Sequence, residues 1–264
     1  HISLSLISIY SLNIAYKFYC ANNLNLNELF ENCDFNLDKM KCEGTQIPVK
    51  TFLKSVTLIK KNLSDKQSLA LILGEYIEIS DFGTYGFTLL SAPTLNEGLL
   101  FMIEGFAYMD STFELEWIDD GLYSIQINIK NSGQFEEFNE DILDLALLTL
   151  QKYISHFFDY SDVSANSHKT FNAKKTNIRS LSIHKEQLKL VSKMSHIAFF
   201  NDNKKRILKE VSSFKKMNNC VFNVNRIIKN ELLRGEKPNL NQISSLLGVT
   251  AKTLSRTLKV HNTN

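Results

Sequence analysis

The sequence predicts an α+β protein, with a mixed α/β N-terminal body followed by an all-α C-terminal portion. Three observations carry this prediction. Apolar residues alternate with polar ones at Phe113, Leu115 and Trp117 and again at Tyr123, Ile125, Ile127 and Ile129, which is the period of strands with one buried face. Apolar residues recur at helical spacing before and after this region, and from Val221 onward only helical spacing is present. Ten glycines and three prolines in 264 residues are too few for an all-β chain built on tight turns.

A 44% apolar and 22% charged composition is that of a globular chain and excludes wholesale disorder. The length suits one large domain or two smaller ones, each with its own core. Ile2 to Cys20 is apolar-rich, but Ser3, Ser5, Ser8, Ser11 and Asn13 interrupt it and Lys17 comes late. A spanning helix needs about 20 predominantly apolar residues, and a secretion signal needs a basic start and a compact apolar stretch. Neither pattern is met, so no membrane association and a cytoplasmic location are expected. Cys20, Cys33, Cys42 and Cys220 form no C-x-x-C and have no His at zinc-ligand spacing. They read as reduced thiols, with no metal or other cofactor expected.

The elements follow in order. Gly83-Thr84-Tyr85-Gly86 is a G-x-x-G with aromatic and acidic neighbours, a poor phosphate cradle, and is expected to turn into a strand. Thr94 and Glu97 form a capping box after Pro93, opening a helix marked by Leu95, Leu99, Met102, Ile103 and Phe106. Asp119-Asp120-Gly121 between the two alternating runs signals a β-hairpin. Ile142 to Leu150 is apolar nearly all round, as in a buried helix, and a further strand-and-helix set follows. Ser161 to Lys175 is polar and without period, the expected loop. Asp119-Asp120 and Glu136-Glu137 read as solvated carboxylates rather than a catalytic pair. With no G-x-S-x-G and no H-E-x-x-H, the body is not read as an enzyme.

The net charge of +2 argues against a nucleic-acid partner only until it is divided. Residues 1–162 hold 10 Lys/Arg against 23 Asp/Glu, a charge of −13. Residues 163–202 hold 7 against 2, or +5, and residues 203–264 hold 13 against 3, or +10. An acidic body is joined to a basic end that attracts phosphate.

That basic end is patterned. Val221, Val224, Ile227, Ile228 and Leu232 form one helical stripe, closed by Gly235 as a left-handed stop and by Pro238. Asn239 can cap a second helix carrying Leu240, Ile243, Leu246 and Leu247, with small Ser244 where helices approach closely. Gly248 permits a turn, and Thr250 can cap a third helix that buries Leu254 and Leu258. Two short helices joined by a glycine-containing turn make a helix-turn-helix. The outer face of its second helix carries Lys252, Thr253, Ser255, Arg256 and Lys259. Arg256 and Lys252 are the candidate groove contacts, with Thr253 and Ser255 in support. Lys259 and Thr250 are placed for phosphate.

The run from Ile227 to Gly235, followed by Pro238 and Gln242-Ile243-Ser244-Ser245-Leu246-Leu247-Gly248-Val249-Thr250-Ala251-Lys252-Thr253-Leu254-Ser255-Arg256-Thr257-Leu258-Lys259, resembles the first helix-turn-helix of AraC-type transcription regulators. Ser244 stands where Ala is usual, Thr250 where Ser is usual, Lys252 in place of Arg, and Thr257 where a second basic residue is frequent. Upstream, Leu69 to Gly74 and then Asp81 to Leu95, with its Gly83, Gly86, Ser91 and Pro93-Thr94-Leu95, resemble the N-terminal domain of the arabinose-operon-regulator-like subgroup. The resemblance runs from about Leu24 to Lys259. It implies an effector-sensing regulatory domain over 1–215 and a partial DNA-binding domain over 216–264 with the first helix-turn-helix only. The implied partners are double-stranded DNA, a small-molecule effector and a second copy in a homodimer. The chain starts at His1 and stops at Asn264, before a second helix-turn-helix, so it reads as a fragment or truncated form, which would weaken its hold on DNA. The competing reading is a truncated regulator that no longer binds DNA and acts as a ligand-sensing or partner-binding module.

Overall fold

Helices dominate the first 109 residues. The computed structural model describes residues 6–33, 36–40, 46–64, 67–109, 113–119, 121–131, 135, 138–158, 178–216, 224–225, 227–228, 231–232, 235, 237–247 and 249–260. The fold is α+β. Strand β1 (Leu6–Ser8) pairs antiparallel with β2 (Gln46–Pro48), Ile7 opposite Ile47. Between them run α1 (Leu12–Ala21), α2 (Leu26–Cys33) and α3 (Leu37–Met40), and after them α4 (Val49–Lys61) and α5 (Leu69–Tyr76). The apolar N-terminal stretch is core: Leu12, Ile14, Ala15, Phe18 and Tyr19 of α1 are buried. Among the described residues no helix is long and apolar enough to cross a membrane.

Helices α6 (Gly83–Leu90) and α7 (Leu95–Gly105) follow. The expected strand after Gly83-Thr84-Tyr85-Gly86 is not formed, because these residues begin α6. Both glycines serve steric ends. Gly83 has φ +58°, a conformation that L side chains rarely adopt. A Cβ on Gly86 would lie 1.8 Å from the Ile79 carbonyl oxygen, so glycine lets α6 press on the preceding 3-10 turn, Ile79–Phe82. Thr94 caps α7 by accepting from the Glu97 N–H at 3.3 Å. The Glu97 carboxylate reaches the Thr94 hydroxyl rather than its N–H.

Strands β3 (Phe113–Asp119), β4 (Ser124–Asn131) and β5 (Ile178–His184) form an antiparallel sheet with β4 central. Pairing places Trp117 opposite Ile127, and Ile127 opposite Leu181. Gly121 turns the hairpin at φ +82°. Tyr123, expected inside the second strand, lies outside it and is exposed. One sheet face packs inward through Ile125, Ile127, Ile129 and Ile183. The other is polar: the Asn128 amide donates to Glu116 at 3.1 Å, and its oxygen accepts from Gln126 and Ser180, each at 2.7 Å. The Lys130 and Asn128 bonds hold the Glu116 carboxyl below its ordinary pKa. The expected loop at 161–175 and the pair Glu136-Glu137 lie outside the described residues.

Helix α8 (Asn139–Ser155) crosses the sheet, and α9 (Ile197–Lys216) packs on α6 and α7. Arg179 falls on the inward face of β5, opposite Ile129. Its guanidinium meets Asp144 and Glu140 of α8, both at 2.5 Å. Burial opposes its charge, but the two carboxylates outweigh burial and raise its pKa.

The body has two apolar cores. One joins the sheet, α6, α7, α9 and one side of α8. The other joins α1 to α5 with Ile142 and Leu145 of α8. Tyr10, Phe82 and Phe113 pack against both. At this seam lies a cavity of about 120 Å³ whose wall includes Ile7, Phe52, Tyr85, Met102, Met109 and Ala146.

Two outcomes are expected. Gly86→Ala should cost about 3 kcal/mol in chemical denaturation, because the methyl meets a backbone oxygen rather than a yielding side chain. Burial pushes the Cys33 thiol up to about 11, against the opposing pull of Lys54, whereas Cys20 is exposed. Iodoacetamide at pH 8 should therefore label Cys20 and spare Cys33 in peptide mass spectra, since the thiolate is the reactive form. Equal labelling would show that the C-terminal end of α2 does not pack into the core as described.

Candidate nucleic-acid interface

A third, small core lies past the body. Val224, Ile227, Ile243, Leu247 and Leu254 are buried together, with Ile228, Leu246, Val249 and Leu258 packed against them. The described residues between 224 and 232 are helical. Gly235 has φ +78° and its N–H donates to the Leu232 carbonyl at 3.0 Å, the left-handed stop expected there. Leu232 itself is exposed, so the stripe ends before it. Val221 and Gly248 lie outside the described residues.

Helix α10 (Leu240–Leu246) begins with a complete capping box. The Gln242 N–H donates to Asn239 Oδ1 at 3.0 Å and the Asn239 N–H donates to Gln242 Oε1 at 2.8 Å. The sequence marks Asn239 as the cap, and the structure adds Gln242 as its partner. Leu240, expected on the buried side, is exposed. As the first residue of α10 it stands a full turn before buried Ile243 and Ser244, where the third helix does not cover it. The Ser244 hydroxyl is absorbed by the Asn241 carbonyl at 2.9 Å, which lets a polar residue sit in the contact. Beyond α10, the Val249 N–H donates to the Ser244 carbonyl at 2.9 Å and closes the turn.

Helix α11 (Ala251–Val260) begins on Thr250, whose hydroxyl accepts from the Thr253 N–H at 3.1 Å and meets the Thr253 hydroxyl at 2.9 Å. Burial of Leu254 fixes the helix's rotation. Lys252, Arg256 and Lys259 are then exposed, while Thr253 and Ser255 are half-buried. Spacings of four and three residues put the three cations on one stripe. Among the described residues they form no salt bridge. The six candidate residues are thus brought together on and around α11, but not equally. Thr250 and Thr253 bond each other, and Ser255 is partly covered. The stripe of cations is what remains for an anionic partner, with no ion pair to be broken first among the described residues.

One relation was invisible in the sequence: α10 lies against β2 of the body. No spacing rule links Gln46–Pro48 to a helix nearly two hundred residues later. The cavity was missed for the same reason, since its wall is gathered from residues between Ile7 and Leu150.

The chain matches no family model and no curated protein. Among solved structures it is similar to the transcriptional regulator CdpR from Pseudomonas aeruginosa, at 16% identity and a TM-score of 0.47, over 97% of this chain and 81% of that one. Similarity of this degree assigns no function.

Leu254 is the residue on which the small core closes. Leu254→Ala should cost about 3 kcal/mol through the cavity it leaves. Amide hydrogen exchange should show α10 and α11 losing protection together while the sheet amides of β4 keep theirs.

Proposed function

We propose that the chain is a sequence-specific DNA-binding transcription regulator whose N-terminal body responds to a small effector. The observation that supports this best is the exposed cation stripe of Lys252, Arg256 and Lys259 on α11. It stands on a self-contained apolar core within the segment of charge +10. In this reading residues 1–215 are the effector-sensing domain and residues 216–264 the DNA-reading end, of the AraC type that the sequence resembles. Helix α11 enters the major groove, where an arginine recognises guanine through two hydrogen bonds. Arg256 and Lys252 contact base edges with Thr253 and Ser255 beside them. Lys259 and Thr250 take phosphate. The acidic body, at −13 over 1–162, repels the duplex and keeps it to the basic end.

Fluorescence anisotropy with a duplex selected by the protein from random-sequence DNA tests the proposal. Affinity should fall linearly with salt on logarithmic axes. Arg256→Ala should weaken the selected duplex by about tenfold or more and random DNA far less. Equal loss on both would make Arg256 a phosphate contact. Absence of salt-dependent binding would instead favour a ligand-sensing or partner-binding module.

A further inference from the structure

We infer that the seam cavity of the body takes a small, uncharged, apolar ligand, an aromatic ring or short aliphatic chain, and that its occupancy is transmitted to the helix-turn-helix through the β1–β2 ribbon. The size of the cavity, about 120 Å³, is near that of an engineered apolar cavity of about 150 Å³ that stays dry and binds benzene. Among the described residues no charged side chain lines it. Two of its hydroxyls are already committed. Tyr85 donates to the Met102 carbonyl at 3.1 Å, and Thr149 donates to the Leu145 carbonyl at 2.8 Å. Ser11 opens α1 without a side-chain capping bond, which leaves one hydroxyl for one polar atom of a ligand. A sugar, with several hydroxyls, or an amino acid, with two charges, would leave polar groups buried without partners and is excluded.

The wall belongs to both cores: Ile7, Phe52 and Leu145 to one, Tyr85, Met102 and Met109 to the other. Filling the seam therefore alters how the two cores press on each other. Two wall residues hold the ribbon. Ile7 stands opposite Ile47 of β2, and the Met109 carbonyl accepts the Ser8 N–H of β1 at 3.0 Å. Helix α10 lies against β2. A ligand that prefers one spacing of the cores thus biases the position of α10 by its differential affinity for the two arrangements. A change in DNA affinity following from that bias is the one consequence that rests on the regulator reading. Binding and transmission to the ribbon do not.

The test uses the full chain with methyl-labelled methionine and two probes, toluene and indole, against arabinose and arginine. Toluene or indole should shift the Met102 and Met109 methyl resonances saturably, and the two polar compounds should not. Absence of any shift with either apolar probe, or an equal shift with arabinose, overturns the proposal. Ala146→Phe fills the cavity and should weaken toluene binding by about tenfold or more; unchanged binding in a folded variant places the ligand elsewhere. Should that variant not fold, toluene-dependent transfer from ligand protons to the Met102 and Met109 methyls decides the location in the unaltered protein. Toluene should also change the hydrogen-exchange rates of the Ile7, Ile47 and Leu247 amides. Methyl shifts without any such change would overturn the transmission. Because none of these readouts needs DNA, a chain that fails to bind DNA refutes the regulator reading alone.

Discussion

Helix α8 serves two apolar cores, and burying both sets of side chains at once is the constraint from which the arrangement of the body follows. Leu143, Leu147, Leu150, Tyr153 and Ile154 turn to the sheet and to α6 and α7. Ile142 and Leu145 turn to the helices that precede them. A single layer could cover only one of these sides, so the chain supplies a layer for each. Close approach on the first side depends on Gly98 of α7, where a Cβ would stand 1.8 Å from the Tyr153 hydroxyl. That hydroxyl donates to the Leu89 carbonyl at 3.1 Å, which joins α8 to α6 as well. On its polar edge, α8 reaches the linker before α6: Lys152 donates to the Ile77 carbonyl at 2.6 Å. Asp81 at the other end of that linker pairs with Lys17 of α1 at 2.6 Å. The polar contacts thus hold in register the layers that apolar burial brings together.

Arg179 shows how the same helix orients the sheet. An arginine on the inward face of β5 would be costly without partners. Asp144 and Glu140, one turn apart on α8, supply two carboxylates to one guanidinium. The planar fork of arginine suits that geometry, and a lysine would not reproduce it. The pair fixes where β5 lies along α8 and leaves the purely apolar contacts to fill space.

Much of the local structure was legible in the sequence. Thr94, Asn239 and Gly235 act where their side chains or backbone freedom suggested, because caps and left-handed stops are decided within a few residues. The hairpin of β3 and β4 followed from alternation, and the body of α8 from its continuous apolar run. Features set by distant parts of the chain were not legible. Gly83 and Gly86 looked like a turn into a strand because a glycine's purpose is invisible until its neighbour is known; here that neighbour is the Ile79 carbonyl. Leu240 looked buried because helical spacing cannot tell which turn of a short helix its partner covers. The candidate site was legible to the extent that it is one helix. The stripe on α11 could be read from spacing, whereas the commitment of Thr253 to Thr250 and the approach of α10 to β2 needed coordinates.

The seam has a further consequence. Its wall is shared between two cores. Exchanging one apolar wall residue for another of similar volume costs under about 1.5 kcal/mol, yet each exchange changes the outline of the cavity. Helix α11 packs on a different core through Leu254, and its outward-facing residues are untouched by such exchanges. What the body can recognise is therefore free to diversify by small steps while the far end of the chain keeps its own chemistry, and the two can evolve on separate clocks.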